Sequence, residues 1–299
     1  MKIVVLDSFA LNPGDLSWEW LKSLGDCKIH HRTPQDKILE RCEGADIILT
    51  NKTPLTKETL SKLNNLKYIA LLSTGYNIVD WEYAKEIGVP VSNIPAYSTN
   101  AVAQLTFSLI LEITNAVGLH SESVKSGDWS SCPDFCYWKT PLTELSGKTL
   151  GIVGFGQIGQ AVADIAEAFK MNVQAVSGHK TDQSHRKNFK WVDMETLAKT
   201  SDIISFHCPL TEKTTGLVNK DFIDKCKDGA IIINTSRGPV VNDKDLADAL
   251  NNGKLRGAGL DVLTVEPPKA DNPLLSAKNC FITPHIAWAG FETRERLMN

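Results

Sequence analysis

The chain has 299 residues, 42% of them hydrophobic, and a formal net charge of −3. This length suits two domains with their own cores. The lack of a basic excess argues against nucleic-acid and membrane-surface partners, and apolar runs of only strand length argue against a transmembrane helix. Seven irregularly spaced cysteines, and a first segment without a signal-peptide layout, favour a reducing cytoplasm. Cys132 and Cys136 have no second pair or histidine cluster beside them, so no metal site is expected.

The first hundred residues alternate strand-like runs with helical patterns. Strands are predicted at residues 3–7, 28–31, 45–50, 68–73 and 89–91, and helices at 16–24, 57–63 and 80–87. Such alternation predicts a parallel sheet covered by helices on both faces. Residues 100–118 then form one long helical pattern that is apolar on most faces. We expect this helix to be buried between domains or subunits and to support a dimer.

The second half repeats the strand–helix alternation. Strands are predicted at residues 149–154, 172–177, 202–207, 230–236 and 257–262, with a candidate sixth at 281–284. The first of these strands ends in Gly-x-Gly-x-x-Gly, and a helical pattern follows at once. Gly154 would allow the tight turn, Gly156 would let the backbone approach a pyrophosphate, and Gly159 would let helix and strand pack closely. The second half is therefore predicted to be a doubly wound dinucleotide-binding fold.

Three ionisable residues follow predicted strands of this second half. Arg237, Glu266 and His285 each lie beside a glycine or proline turn, and ligands of open α/β sheets bind beyond the carboxyl ends of strands. An arginine alone is often a surface ion-pair partner, and a histidine alone is often structural. Together, a guanidinium can hold a carboxylate, an imidazole can move a proton, and a carboxylate beside it can orient the ring and favour its charged form. With a hydride carrier, these groups can reduce a 2-keto acid.

At these residues the chain resembles a known family. GKTLGIVGFGQIG, FHCPLT, INTSRGPVV, GLDVLTVEPP, TPHIAWAG and STGYNIVD look like the signatures of the D-isomer-specific 2-hydroxyacid dehydrogenases, closest to the glycerate dehydrogenase (hydroxypyruvate reductase) branch. The resemblance covers nearly the whole chain. It implies an α/β fold of two doubly wound parallel-sheet lobes: a flavodoxin-like substrate domain at 1–98 and 285–299, and a Rossmann cofactor domain at 99–284. Family members usually continue beyond the point where this sequence stops, at Asn299, so we expect a frayed last helix.

The resemblance also assigns roles to individual residues. Arg237 would anchor and polarise the 2-keto acid, His285 would donate the proton, and Glu266 would pair with His285. The backbone N–H groups of Thr74 and Gly75 would hold the substrate carboxylate, and Trp288 would shape the pocket wall unless it serves only in packing. The positions implied to contact the cofactor are Thr99, Gly154, Gly156, Gln157, Ile158, Gly159, Ser177, His179, Lys180, His207, Cys208, Pro209, Thr235, Ser236 and Asp261.

The choice of cofactor depends on one departure from the family pattern. The family usually has an aspartate at the end of the second cofactor-domain strand, where it binds the ribose diol of NAD, but this chain has Ser177. His179 and Lys180, with Arg186 nearby, can approach a 2′-phosphate. We therefore expect NADP(H) to be accepted at least as well as NAD(H). The alternative is that the two cations are solvated loop residues and that Asp182 binds the ribose.

The resemblance implies reduction of hydroxypyruvate to D-glycerate, with glyoxylate as the second choice, because TGYNIVD, NIPAYST and HIAW resemble the glycerate dehydrogenase branch. D-lactate, phosphoglycerate, formate and phosphonate dehydrogenases are the alternatives among enzymes. A nucleotide-sensing scaffold like the family's corepressors is the non-enzymatic alternative, although the intact Arg–Glu–His set argues against it. The expected assembly is a homodimer through the cofactor domain, in the cytoplasm.

Overall fold

The computed structural model covers Met1 to Asn299 and divides into two compact units. Unit 1 contains Met1–Ser98 and Ala289–Asn299, and unit 2 contains Thr99–Trp288. The second boundary differs from the sequence prediction, which placed it before His285. The backbone N–H of His285 donates to the carbonyl oxygen of Asp261 (2.9 Å), and that of Ala287 donates to the Asp261 carboxylate (2.9 Å). These bonds fasten the segment to unit 2.

Unit 1 is a five-stranded parallel sheet with flavodoxin-like strand order. The order is β2-β1-β3-β4-β5, as the resemblance predicted. Its strands are β1 Lys2–Val5, β2 Asp26–Ile29, β3 Ile47–Thr50, β4 Tyr68–Leu71 and β5 Val91–Ser92; its helices are α1 Glu19–Lys22, α2 Ile38–Cys42, α3 Lys57–Leu60, α4 Trp81–Glu86 and α11 Phe291–Met298. Two apolar clusters form the unit's core, since alternate residues of β1 belong to different clusters.

The last helix, α11, is packed rather than frayed. Leu297 and Met298 are buried in one of the two core clusters of unit 1. Arg294 donates two parallel hydrogen bonds to the Asp15 carboxylate, at 2.8 and 2.7 Å, and a third to the carbonyl oxygen of Leu11. Apolar burial and a charged pair together fix the helix, so the expectation of a frayed end was wrong.

Unit 2 is a seven-stranded parallel sheet with the doubly wound order of a Rossmann fold. The order is β12-β11-β10-β9-β6-β7-β8, with the switch point between β6 and β9. Its strands are β6 Thr149–Val153, β7 Asn172–Val176, β8 Phe189–Trp191, β9 Ile203–Phe206, β10 Ala230–Asn234, β11 Leu255–Leu260 and β12 Cys280–Ile282; its helices are α5 Thr99–Asn115, α6 Val117–Lys125, α7 Gln157–Ala168, α8 Met194–Thr200, α9 Lys220–Lys225 and α10 Asp243–Asn251.

The helix expected at residues 100–118 is broken in two. Ala116 has a left-handed backbone (φ 46°) between α5 and α6. The apolar residues of α5 belong to a core cluster of unit 2, where Phe107 stacks on Phe169 at 5.4 Å. No single helix is long and apolar enough to cross a membrane; α5 and α6 meet that test only when joined across their 54° bend.

Candidate active site

The three glycines after β6 differ in the space that a side chain would find. Gly154 has φ +92°, and a Cβ there would lie 2.6 Å from the backbone nitrogen of Cys208. A Cβ on Gly159 would collide with the carbonyl oxygen of Gly154, whereas a Cβ on Gly156 would meet nothing within 4 Å. Two glycines are therefore needed for the turn and the packing, and the third leaves open space beside the backbone.

That open space lies at the start of α7, where an anion would fit. Gly156 is the N-cap residue and supplies no side-chain hydrogen bond to the helix, and both Gly156 and Gln157 are exposed. The first N–H groups of a helix have no partner within the helix and carry a partial positive charge. The next residue, Ile158, is half-buried against the unit's core. These features fit the pyrophosphate of a dinucleotide.

The end of β9 forms the opposite wall of the glycine turn. The N–H of His207 donates to the carbonyl oxygen of Val153 at 2.8 Å. The Nε2 of His207 contacts the Ser205 hydroxyl at 2.8 Å, and the Nδ1 of His207 is buried without a hydrogen-bond partner. Burial lowers the pKa of His207 to about 3, so the ring is neutral at physiological pH. Burial also raises the pKa of the Cys208 thiol, and the following Pro209 is exposed.

The segment after β7 exposes a histidine and a lysine. His179 and Lys180 are exposed, and the half-buried Ser177 accepts a hydrogen bond from the His179 N–H at 3.3 Å. The Asp182 carboxylate accepts hydrogen bonds from the backbone and the hydroxyl of Ser184, at 2.9 and 3.1 Å. The Asp182 carboxylate is therefore already bonded to Ser184 in the same turn, which disfavours Asp182 as the ribose ligand.

Arg186 does not lie where the sequence interpretation placed it. Its side chain is only 3% exposed, and one guanidinium nitrogen lies 2.5 Å from the Asp164 carboxylate on α7. The ion pair removes this arginine from the set of cations available to a 2′-phosphate.

The loop after β10 carries the candidate substrate anchor. Arg237 is exposed, and its Nη1 donates to the carbonyl oxygen of Ser236 at 2.8 Å. The buried side chain of Asn234 shapes this loop: it accepts from the backbone and hydroxyl of Ser236, at 3.0 and 2.8 Å, and donates to the carbonyl oxygen of Arg237 at 2.9 Å. Thr235 is buried, with its hydroxyl 3.2 Å from that of Thr106 on α5.

Asp261 organises the segment that carries His285. This carboxylate, 1% exposed at the end of β11, accepts hydrogen bonds from the Thr283 hydroxyl (2.6 Å) and from the N–H groups of Ile286 and Ala287 (2.8 and 2.9 Å). Burial raises the pKa of Asp261, although these hydrogen bonds oppose the rise. These bonds show that Asp261 supports the segment that carries His285.

Glu266 and His285 form a close pair. The Nδ1 of His285 lies 2.6 Å from Oε2 of Glu266, while Oε1 of Glu266 accepts the N–H of Leu263 at 3.1 Å. His285 has φ +55°, a left-handed conformation that is uncommon for residues other than glycine. The bonds from this segment to Asp261 hold it there. Because Glu266 occupies Nδ1, Nε2 is the ring nitrogen that can contact a substrate. Trp288, the last residue of unit 2, is half-buried.

In unit 1, the residues predicted to bind a carboxylate follow β4. Thr74 is exposed, and its hydroxyl donates to the carbonyl oxygen of Ile94 at 2.8 Å. Asn93 donates to the carbonyl oxygen of Thr74 at 2.7 Å, and the Ser73 hydroxyl donates to that of Gly75 at 2.7 Å. The carbonyl groups of this turn are thus occupied, and its N–H groups donate to no acceptor in unit 1.

Sequence reasoning missed the residues that support the site. Asn234, Thr283 and Ser205 hold the loops on which Arg237, His285 and His207 stand. Asn234 and Ser205 are polar residues in otherwise apolar buried strands. A buried polar residue at a strand end is the signal that could have identified Asn234, because it must find hydrogen-bond partners nearby.

Comparison with known proteins identifies the family of the chain. Residues 107–287 match the model of the D-isomer specific 2-hydroxyacid dehydrogenase, NAD binding domain. The chain is 50% identical to a hydroxypyruvate reductase of Blautia hydrogenotrophica, over 100% of this chain and 94% of that protein. An acyclic imino acid reductase solved with NADPH and D-Arg has 33% identity and a TM-score of 0.86, over 100% of this chain and 93% of the other.

A D-lactate dehydrogenase of Aquifex aeolicus, solved with NAD and lactic acid, has 32% identity and a TM-score of 0.82, over 100% of this chain and 92% of the other. Solved relatives therefore include one bound to NADPH and one bound to NAD. Full-length identity of this degree, with the family's cofactor domain matched across unit 2, establishes that the chain belongs to the D-isomer specific 2-hydroxyacid dehydrogenases.

Proposed function

We propose that this protein reduces hydroxypyruvate to D-glycerate with NADPH or NADH, and glyoxylate as a second substrate. The observation that carries the proposal is the 2.6 Å contact between Glu266 and His285, which equips a cofactor-binding unit with a proton donor. The chain's 50% identity to a hydroxypyruvate reductase supports this choice among 2-keto acids.

Each charged side chain has a defined task in this reaction. Glu266 fixes the ring of His285 through Nδ1, so that Nε2 donates the proton to the substrate carbonyl oxygen. The exposed guanidinium of Arg237 anchors the keto acid and polarises its carbonyl group. When bound at α7, the nicotinamide cofactor supplies the hydride.

Binding groups are proposed for each unit by itself. Unit 2 holds the dinucleotide, with its pyrophosphate at the start of α7 beside Gly156. Within unit 1, the N–H groups of Thr74 and Gly75 are proposed to bind a carboxylate; their lack of acceptors within the unit supports this role. Trp288 forms part of the substrate pocket.

The cofactor preference is proposed to include NADPH. Ser177 places no carboxylate at the end of β7, and His179 and Lys180 are exposed beyond it. A 2′-phosphate would meet the Lys180 ammonium and the His179 ring there rather than a repelling acid. NADP(H) is therefore used at least as well as NAD(H).

A homodimer through unit 2 is the proposed assembly. Large apolar side chains are exposed along α6 and the segment after it: Val117, Leu119, Val124, Trp129, Phe135, Trp138 and Leu142. So many exposed apolar side chains within one stretch of the chain favour an interface. The double variant Phe135→Ser, Trp138→Ser should be monomeric by light scattering coupled to gel filtration, and an unchanged dimer would contradict this face. All seven cysteines are free thiols, which supports the proposed cytoplasmic location.

One screen tests the proposed reaction. Oxidation of NADPH and of NADH is followed with hydroxypyruvate, glyoxylate, pyruvate and 3-phosphohydroxypyruvate. We expect the highest kcat/KM with hydroxypyruvate. Higher efficiency with pyruvate would instead indicate a D-lactate dehydrogenase, and higher efficiency with the phosphorylated acid a phosphoglycerate dehydrogenase.

A further inference from the structure

Arg186 is a buried arginine that connects two parts of the nucleotide-binding unit. It lies in the segment 177–188 between β7 and β8, yet its guanidinium reaches α7. Nη2 donates to the Asp164 carboxylate at 2.5 Å and lies 3.4 Å from the carbonyl oxygen of Gln160. Nη1 lies 3.4 Å from the Glu167 carboxylate without a hydrogen bond. Asp164 is therefore its principal partner.

The same guanidinium also holds its own segment. Nε of Arg186 donates to the side-chain oxygen of Gln183 at 2.9 Å, and the Arg186 N–H donates to the carbonyl oxygen of Gln183 at 2.9 Å. Gln183 is buried, and its side-chain nitrogen donates to the Thr181 hydroxyl at 2.9 Å. Thr181 directly follows Lys180. A continuous chain of bonds thus runs from α7 to the residue beside the exposed Lys180.

The two connected elements would hold different parts of one nucleotide. The start of α7 fits the pyrophosphate, and the segment after β7 stands where the adenosine ribose is recognised in this fold. An exposed loop with long cationic side chains loses conformational freedom when it binds a ligand, and prior ordering reduces that cost.

We propose that Arg186 is a positioning residue for recognition of the 2′-phosphate of NADPH. Through Asp164 and Gln183 it orders the segment that carries His179 and Lys180, without contacting the phosphate itself. This inference rests on the proposed use of NADPH. The burial of Arg186 supports it, because contact with the phosphate would require the arginine to leave its ion pair and the unit's interior.

Binding of nucleotide fragments tests the role apart from catalysis. Calorimetry measures the affinity of 2′,5′-ADP, which carries the 2′-phosphate, and of 5′-ADP, which lacks it. We expect Arg186→Met and Asp164→Asn each to lower the affinity for 2′,5′-ADP about tenfold, or ~1.4 kcal/mol. The affinity for 5′-ADP should fall less than about threefold. The conservative Arg186→Lys keeps the charge but not the forked geometry, and it should restore part of the affinity.

Lys187→Met is the matched control, because it removes the neighbouring exposed cation and leaves the buried contacts intact. Its effect on both ligands should stay below about threefold. Circular dichroism checks that each variant is folded. The conservative Asp164→Asn keeps the test available should Arg186→Met be poorly folded, because it cuts the same ion pair from the exposed side.

Two results would overturn the role of Arg186. If Asp164→Asn strengthens 2′,5′-ADP binding while Arg186→Met weakens it, the arginine contacts the phosphate directly. If both variants lower the affinity for the two ligands equally, or leave both affinities unchanged, Arg186 serves only to stabilise the fold. Equal binding of the two ligands by the unaltered protein would instead refute the proposed use of NADPH, and this inference with it; that failure is visible without any variant.

Discussion

Glu266 and His285 are joined at 2.6 Å, and each is fixed independently of the other. Glu266 also accepts the N–H of Leu263, while the backbone N–H of His285 donates to the carbonyl oxygen of Asp261. The histidine keeps a left-handed backbone that these bonds maintain. The pair is thus arranged before any substrate binds, which is how a proton donor gains efficiency.

Removing the ring of His285 should abolish most of the activity. We expect His285→Ala to lower kcat by about 10²–10⁴ if proton transfer limits the rate, measured as hydroxypyruvate-dependent oxidation of NADPH. Near-normal turnover would refute the role of the histidine. Glu266→Gln replaces the carboxylate that holds Nδ1 of His285, so it should also lower kcat.

Arg237 should be irreplaceable by lysine. A guanidinium can hold a carboxylate through two parallel hydrogen bonds, whereas an ammonium acts as a single compact charge. Arg237→Lys should therefore raise KM for hydroxypyruvate and lower kcat/KM by about tenfold or more, or ~1.4 kcal/mol. Lys190→Met removes an exposed cation on β8, away from the Arg237 loop in sequence, and serves as the control. Equal kinetics for the lysine variant would contradict anchoring of the substrate through two parallel hydrogen bonds.

The three glycines should respond differently to alanine. Gly154→Ala meets both a positive φ and a contact of 2.6 Å with backbone, so it should destabilise the fold by about 1–3 kcal/mol. Gly156→Ala meets open space and should leave the melting temperature nearly unchanged, while its methyl group occupies the approach to the pyrophosphate. Calorimetry should therefore show weakened binding of NADH and NADPH to Gly156→Ala. Unimpaired binding would place the pyrophosphate elsewhere.

Local patterns predicted most of the framework and the key side chains. The alternation of strands and helices predicted both parallel sheets. The strand ends singled out Arg237, Glu266 and His285, and the structure brings Glu266 and His285 together. β8 was not predicted: Phe189–Trp191 is a three-residue edge strand. It pairs with β7, and the ring centroid of Phe189 lies 4.9 Å from that of Phe155. The break at Ala116 was missed because neither glycine nor proline occupies that position.

Long-range partners explain the remaining differences. The sequence shows that Arg186 is close to Lys180 along the chain, but its bond to Asp164 joins residues 22 positions apart. The tight attachment of α11 likewise depends on Asp15, 279 positions from Arg294. Such pairings follow from the completed fold, and no local pattern contains them.

Ser177 should decide between the two cofactors. Ser177→Asp adds an acceptor for the ribose diol of NADH and a charge that repels a 2′-phosphate. The ratio of kcat/KM for NADPH to that for NADH should therefore fall by about tenfold or more, or ~1.4 kcal/mol. Ser177→Asn is the matched control, because it has a similar shape without the charge. A preference of the unaltered protein for NADH above about tenfold would contradict our interpretation of Ser177.

The stability that the Asp15–Arg294 pair gives to the packing of α11 should be lost at low pH. The hydrogen bonds from Arg294 lower the pKa of Asp15 from its ordinary value of 3.8. Because the folded-state pKa is the lower one, the pair's contribution to stability is complete above 3.8 and is lost as pH falls through the lowered value. Asp15→Asn should therefore lower the melting temperature at pH 7 and at pH 5, and the difference from the unaltered protein should shrink below pH 3.8.

The matched control for this pair is Glu19→Gln, which removes an exposed carboxylate paired with Lys22 at 2.8 Å. Exposed pairs contribute little to stability, whereas Asp15→Asn leaves the guanidinium of Arg294, only 10% exposed, without its charged partner. The control should therefore lower the melting temperature less than Asp15→Asn at every pH above 3.8. Equal effects of the two variants would mean that apolar burial of Leu297 and Met298 alone fastens the helix to unit 1.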